Sequence, residues 1–165
     1  MEKEIKPGEQ VYKHFSDFRC NDFVELFCEF SYALELSQNE SNQAFKNRRL
    51  DFLDEEVNEL IEATNNHDVV EQVDGAADVA FVAITQIYHI FREAGFDHFQ
   101  ARVKTRQALW EVGQTNIVKN TPTGPFEKIT KPEGWEPPKI ADLFLTTEEL
   151  FEKRKKEKDG GGEQT

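Results

Sequence analysis

Two acidic runs carry the chemistry in this sequence, Glu55-Glu56-Val57-Asn58-Glu59-Leu60 and Asp74-Gly75-Ala76-Ala77-Asp78-Val79. Each reads as helix and sets carboxylates about one turn apart beside an apolar stripe. Packed face to face, the two helices bring four or five carboxylates to one place, a density of negative charge that cations must neutralise. Oxygen donors without a His or Cys partner suit Mg²⁺, with Mn²⁺ as its substitute, and the natural ligand of such a site is a phosphate chain. A single EExxE on a helix is usually a solvated face. The second run shifts that balance, because Asp is a poor helix former and yet Asp74 and Asp78 stand in the middle of a strongly apolar helix.

The elements that must position these residues are helices. Asp22 with Glu25 reads as a capping box that opens a Phe-rich first helix, ending near Leu36. Ser37–Gln43 reads as a loop. A second helix is expected from about Ala44 to Thr64, with Leu50, Leu53, Val57, Leu60, Ile61 and Thr64 on one stripe. Glu56 lies at the edge of that stripe, Glu59 a little further round, and Glu55 nearer the outside. After a turn at Asn65-Asn66-His67, Asp68 with Glu71 caps a third helix to about Ala94. Its expected buried face includes Val70, Val73, Ala77, Ala80, Phe81, Ile84, Ile87, Tyr88 and Phe91, with Asp74 and Asp78 flanking it. Gly75 costs a helix about 1 kcal/mol relative to Ala and therefore needs a packing or site reason. Gly95 reads as the residue just past the helix end. Asp97 with Gln100 caps a fourth helix to about Val112, loosened at Gly113.

Five of the six prolines fall between Thr121 and Pro138 and mark an extended segment. A short terminal helix is expected over Ala141–Lys158, with a Thr146/Thr147 cap, and the charged, then Gly-rich, end from Glu152 to Thr165 reads as disordered. The expected organisation is an N-terminal arm (1–21), a helical domain (22–120), a Pro-rich extension (121–150) and a tail (151–165).

With 165 residues, 38% apolar and 32% charged, the chain fits a helix-rich protein of one principal domain. A formal charge of −12 argues against a nucleic-acid polymer as partner, which needs clustered Lys and Arg. A free nucleotide carried by a metal ion is compatible with it. No stretch is long and apolar enough to span a bilayer, Met1–Gln10 is polar, and Cys20 and Cys28 show no metal spacing, all of which suits a cytoplasmic setting. A di-iron bundle needs Glu three residues before His. None of His14, His67, His89 and His98 has it, and His89 and His98 read as packing or surface residues. The sequence also lacks GxGxxG, GxxxxGK[ST] and GxSxG.

Taken together, the chain resembles the all-α nucleoside triphosphate pyrophosphohydrolase superfamily, which includes MazG-type enzymes, dimeric dUTPases and phosphoribosyl-ATP pyrophosphohydrolases. Glu55-Glu56-x-x-Glu59 matches its first motif, and Asp78-Val79-Ala80-Phe81-Val82 matches the Asp-plus-apolar ending of the second. The phosphoribosyl-ATP pyrophosphohydrolase-like proteins of phages and bacteria look closest. They carry an Asp at the position of Asp74, an Asn-x-x-Lys like Asn116-Ile117-Val118-Lys119, and a Lys-Pro and Pro-rich ending like Lys131–Pro138. One departure is Gly75, where the usual ExxD places Glu; Glu71-x-x-Asp74 also fits ExxD one turn earlier, but the apolar run and small residues favour the register ending at Asp78, in which Asp74 substitutes for the missing Glu.

The resemblance implies an all-α, four-helix MazG-like bundle, completed by assembly into a homodimer or homotetramer, and hydrolysis of a (d)NTP to monophosphate and pyrophosphate. Glu56, Glu59, Asp74 and Asp78 are then the expected Mg²⁺ ligands, Glu55 the residue that orients or deprotonates water, and Asn116 and Lys119 the contacts to phosphate or sugar. Lys131, Arg48 and Arg49 are lesser phosphate candidates, and Phe30, Tyr32 and Trp110 are aromatic candidates for a base slot. The alternatives are cleavage of phosphoribosyl-ATP, or a non-catalytic nucleotide-binding protein of the same fold. The setting is the cytoplasm, or a host's cytoplasm for a phage-encoded chain.

Overall fold

The computed structural model describes residues 22–38, 41–119 and 129–160, the last three by backbone alone. The N-terminal arm with Cys20, positions 39–40, the stretch 120–128 with Pro122 and Pro125, and residues 161–165 lie outside the described residues. Among the described residues there are five α-helices and one 3₁₀ turn: α1 (Phe23–Ser37), α2 (Asn42–Asn65), α3 (Val69–Glu93), α4 (His98–Ile117), the 3₁₀ turn (Ile140–Phe144) and α5 (Thr147–Gly160). The all-α expectation holds, with no strand among the described residues. No helix there is long and apolar enough to cross a membrane.

The helix starts follow the sequence signals. Asp22 Oδ1 accepts the Val24 and Glu25 N–H groups, and Asp68 Oδ1 those of Val70 and Glu71. Asp97 and Gln100 form a reciprocal box at 2.8 and 3.0 Å. Three boundaries differ from expectation. Helix α2 starts at Asn42, two residues early, because Ser41 Oγ accepts the Ala44 N–H. Helix α4 runs through Gly113 to Ile117, its last turns tied by Thr115 Oγ1 to the Glu111 carbonyl and Asn116 Nδ2 to that of Val112. The terminal helix expected from Ala141 starts at Thr147 as α5, because a Thr146–Glu149 capping box opens it there.

The chain divides into two compact units between Thr105 and Arg106, inside α4. In the first unit, α2 and α3 form an antiparallel hairpin, fixed by Lys46 to Glu93 at 2.9 Å, Arg49 to Gln86, and the approach of Gly75 to Leu60. The turn between them is a Schellman motif. The Asp68 N–H donates to the Ala63 carbonyl and that of His67 to Thr64, with His67 left-handed at φ 57°. Helix α3 ends the same way on Gly95 (φ 94°), and Phe91 and Phe96 make the accompanying apolar contact.

Helix α1 packs on α3 through Phe27 and Phe30 against Phe81, and through Glu35, whose carboxylate accepts from Arg92 Nη2 at 2.8 Å and from its Nε at 3.1 and 3.3 Å. The first turns of α4 close on α1: His98 bridges the Tyr88 hydroxyl and Glu29, and Arg102 donates to Glu25 and Glu29. Cys28, Tyr88, Phe91, Ala101 and Thr105 are sealed at the centre.

Two apolar stripes are placed differently from expectation. On α2 the inward line is Phe45, Arg49 and Ala63, with Glu56 half-buried in register, while Leu50, Val57 and Ile61 are exposed. On α3, Ile84, Tyr88 and Phe91 are buried, but Val70, Val73, Ala77 and Ala80 are exposed. The facing helix covers only the C-terminal half of that stripe.

In the second unit, the Trp135 indole N–H donates to the Thr115 carbonyl at 2.9 Å, and the Lys139 N–H to Glu111. Residues 131–139 thereby lie along the end of α4. Lys153 of α5 pairs with Asp142 of the 3₁₀ turn.

Candidate active site

Gly75 sets the geometry at the centre of the acidic runs. It is buried, and a Cβ there would lie 3.2 Å from Leu60 Cα. That is tighter than an ordinary van der Waals contact, so glycine eases the close approach of the two backbones. The crossing brings the Glu55–Glu59 turn of α2 opposite the Asp74–Asp78 turn of α3.

Glu56 registers the result. Its carboxyl is held above the usual carboxylate range, first by loss of solvent and then by the charges of Asp78, Glu59, Glu55 and Asp74. The other four acidic candidates therefore all act on Glu56. The five differ in exposure: Glu56 and Asp78 are half-buried, whereas Glu55, Glu59 and Asp74 are exposed. Among the described residues none of the five is ion-paired. The fold brings their positions together without closing a cage: among the described residues no three His, Cys, Asp or Glu side chains converge at metal-holding separations. An all-oxygen set of like charges lacking a basic partner fits a hard divalent cation by its chemistry.

A cavity of about 390 Å³ opens beside Glu56 and Asp78, between α1, α2 and α3. Its walls are aromatic, from Phe30, Phe45, Phe52 and Phe81, with Ser31 and Thr85 as polar points. Arg48 and Arg49 complete the lining. The Arg48 guanidinium lies over the Phe45 and Phe52 rings at 5.5 and 5.8 Å from their centroids. Arg49 donates from Nε and Nη2 to Gln86 Oε1 at 3.1 and 2.6 Å. Burial pushes its guanidinium down to about 10, so it stays charged at neutral pH. Volume, flat aromatic walls and a few polar groups suit a planar ring system, and the carboxylates stand at the same cavity.

Of the aromatic candidates, Phe30 lines this cavity. Tyr32 does not: it stacks on His98 at 4.1 Å. Trp110 belongs to the second unit, where it is exposed. Phe45, Phe52 and Phe81 were not singled out as slot residues, because at helical spacing an aromatic reads first as core. Their signal is the interleaving of Phe45 and Phe52 with Arg48 and Arg49 on one face.

Asn116 and Lys119 lie at the end of α4 in the second unit. Lys119 Nζ donates to Asn116 Oδ1, and Asn116 Nδ2 to the Val112 carbonyl. His89 is a packing residue as read. It is buried edge-on to Phe45 and Tyr88, and burial, Arg49 and Arg92 push its imidazole down to about 3.

Residues 22–90 match the family model of phosphoribosyl-ATP pyrophosphohydrolase. The match spans α1, α2 and most of α3, and so includes the cavity, Glu55, Glu56, Glu59, Asp74 and Asp78. No curated protein and no solved structure matches the chain.

Proposed function

We propose, from the match of residues 22–90 to the phosphoribosyl-ATP pyrophosphohydrolase family model, that this chain belongs with the MazG-like all-α nucleoside triphosphate pyrophosphohydrolases, hydrolases of phosphoric anhydrides that generally depend on a divalent metal, and that it cleaves a (d)NTP to (d)NMP and pyrophosphate. The observation that carries the reading is the aromatic cavity at which Glu56 and Asp78 stand. A base held between flat walls places its phosphate chain toward the carboxylates.

Glu56, Glu59, Asp74 and Asp78 are the proposed ligands of Mg²⁺ or Mn²⁺, which neutralises phosphate charge and makes water a stronger nucleophile. Glu55, exposed on the same turn, is the proposed residue that orients the attacking water or takes its proton. The aromatic wall and Arg48 hold the base and exclude water from it. In the second unit, Asn116 and Lys119 are the proposed substrate-binding pair. A homodimer or homotetramer is supported by the exposed apolar side chains of Val70, Val73, Val57 and Ile61, and the buried Cys28 thiol is compatible with a cytoplasmic setting.

The matched family favours a second reading, in which phosphoribosyl-ATP is the substrate. One assay separates the two: the eight common NTPs and dNTPs and phosphoribosyl-ATP, each with Mg²⁺ and with Mn²⁺, resolving pyrophosphate from phosphate. Pyrophosphate from some common nucleotides, lost in Glu59→Gln and Asp78→Asn with unchanged helical circular dichroism, is the expected result. Turnover of phosphoribosyl-ATP alone selects the second reading, and full activity in either variant removes the proposed site.

A further inference from the structure

The cavity beside Glu56 and Asp78 has a second polar layer. Arg49 precedes Glu56 by seven residues on α2, and Thr85 follows Asp78 by seven on α3; all four line the cavity. Seven residues are close to two full turns, so the members of each pair share a face and lie about 10 Å apart along their helix. The two helices run antiparallel, and Arg49 bonds Gln86, the neighbour of Thr85. Arg49 and Thr85 therefore stand at one end of the cavity, and Glu56 and Asp78 at the other. Phe52 and Phe81 come between, about one turn from each layer.

Arg49 is the unusual member. It is 6% exposed, a buried cation in a chain with 32 acidic against 20 basic residues. A buried guanidinium is ordinarily paired with a carboxylate. Glu56 and Asp78 line the same cavity, and Glu93 and Glu35 act on Arg49 through their charge, yet among the described residues none of the four pairs with it. Its partner is a neutral amide: Nε and Nη2 both donate to Gln86 Oε1, which fixes the guanidinium without neutralising it. Two of its five N–H groups are used in this way. Nη1 makes no hydrogen bond among the described residues, yet it is not closed off. Arg49 lines the cavity and is otherwise buried, so what is open of it opens there.

Thr85 has the opposite role. Its hydroxyl donates to the Val82 carbonyl at 2.9 Å, so its proton is spent on its own helix and its oxygen is left to the cavity as an acceptor. A ligand that satisfies this end brings an acceptor to a cation and a donor to a hydroxyl oxygen, on a flat body that fits between phenyl rings. A phosphate chain brings acceptors alone at neutral pH. A carbonyl oxygen beside a ring N–H brings both, and its two lone pairs suit a guanidinium better than the single one of a ring nitrogen. Uracil, thymine, guanine and hypoxanthine carry that lactam edge. Adenine has an amino group and a bare ring nitrogen in its place.

We propose that Arg49 and Thr85 form the base-reading end of the cavity and select nucleotides whose base has a lactam edge, with Gln86 as the positioning residue that holds Arg49. The choice of a nucleotide as ligand rests on the pyrophosphohydrolase reading; selection of the base does not require turnover.

Inosine and adenosine test the edge alone, since they differ only there and carry no phosphate. The full chain is titrated with each nucleoside by calorimetry in metal-depleted buffer, and kcat/KM for inosine triphosphate and ATP is compared with Mg²⁺ present. Inosine is expected to bind about tenfold tighter or better, and the triphosphates to differ by a similar factor through KM rather than kcat. Arg49→Met should bring both ratios to about threefold or less. If that variant loses the helical circular dichroism of wild type, Gln86→Glu carries the test: a carboxylate there neutralises the guanidinium and should narrow both ratios too. Equal binding, tighter adenosine, binding of neither nucleoside, or unchanged ratios in the folded variant overturns the proposal. So does loss of inorganic tripolyphosphate binding in Arg49→Met with the inosine preference intact, which returns Arg49 to phosphate. Preference for inosine without hydrolysis of any nucleotide removes the enzymatic reading and leaves the base pocket; hydrolysis with the two triphosphates equal removes the base-reading role alone.

Discussion

Glu56 is the residue at which the chemistry of the site is most concentrated. Its inward position on α2 would ordinarily hold an apolar side chain, and loss of solvent, then the charges of Asp78, Glu59, Glu55 and Asp74, hold its carboxyl above the usual range. That placement was half legible. The EExxE motif is plain in the chain, but an apolar stripe drawn through Leu50, Val57 and Ile61 sets Glu56 only at its edge. His89 carries a prediction at this scale. Its imidazole is neutral in the fold, at about 3, against about 6.5 in an unfolded chain. The unfolded state therefore binds the extra proton between those values. The stability this contributes is complete above about pH 6.5 and is lost as pH falls toward 3, by up to about 1.4 kcal/mol per unit. His89→Phe removes that loss and the buried Nε2 that lacks a hydrogen-bond partner. Urea denaturation at pH 7, 5.5 and 4.5 should show the wild type losing stability relative to His89→Phe as pH falls; parallel curves would show that His89 does not drive it.

The helix pair α2–α3 is the element that makes the site, and Gly75 is its contact. A Glu at position 75 completes ExxD on paper, but the position faces Leu60 and not solvent, so the missing carboxylate is a packing solution. Gly75→Ala gains about 1 kcal/mol of helix propensity and costs about 1–3 kcal/mol of overpacking against a backbone that must move away. A net fall in stability is expected, larger for Gly75→Glu, with hydrolysis falling alongside. A Gly75→Glu protein that melts as high as wild type and hydrolyses faster would restore the ligand reading of that position. The turn that joins the pair is strained in the opposite sense. His67 holds a left-handed conformation that costs an L residue about 1–2 kcal/mol. His67→Gly should raise the melting temperature by about 2–4 °C, partly offset by glycine's greater freedom when unfolded. The helices, their caps and the Gly95 terminus were readable because each rests on a few adjacent residues. The run of α4 through Gly113 was not, because it depends on side-chain ties from Thr115 and Asn116.

At the scale of the molecule, the exposed N-terminal half of α3 is the largest departure from a self-sufficient bundle. Val69, Val70 and Val73 are each about 70% exposed, on a stripe that continues inward to Ile84 and Tyr88. Under the proposed assembly a second copy covers it. Sedimentation velocity should then find a dimer or larger at micromolar concentration, and Val70→Lys with Val73→Lys should shift it toward monomer; a wild-type monomer would sink the assembly. The sequence by itself determined the helices, their starts, and the carboxylates spaced one turn apart on two of them, because caps and helical periodicity act over four to seven residues. Only the tertiary structure decided that Arg49 and Glu56 face inward while Leu50 and Val57 do not. It also decided that Phe45, Phe52 and Phe81 enclose a cavity rather than fill a core, and that Arg49 meets the neutral amide of Gln86. Those outcomes depend on which surfaces meet across tens of residues, and the Gly75–Leu60 approach that sets the α2–α3 pairing exists only once both helices are packed.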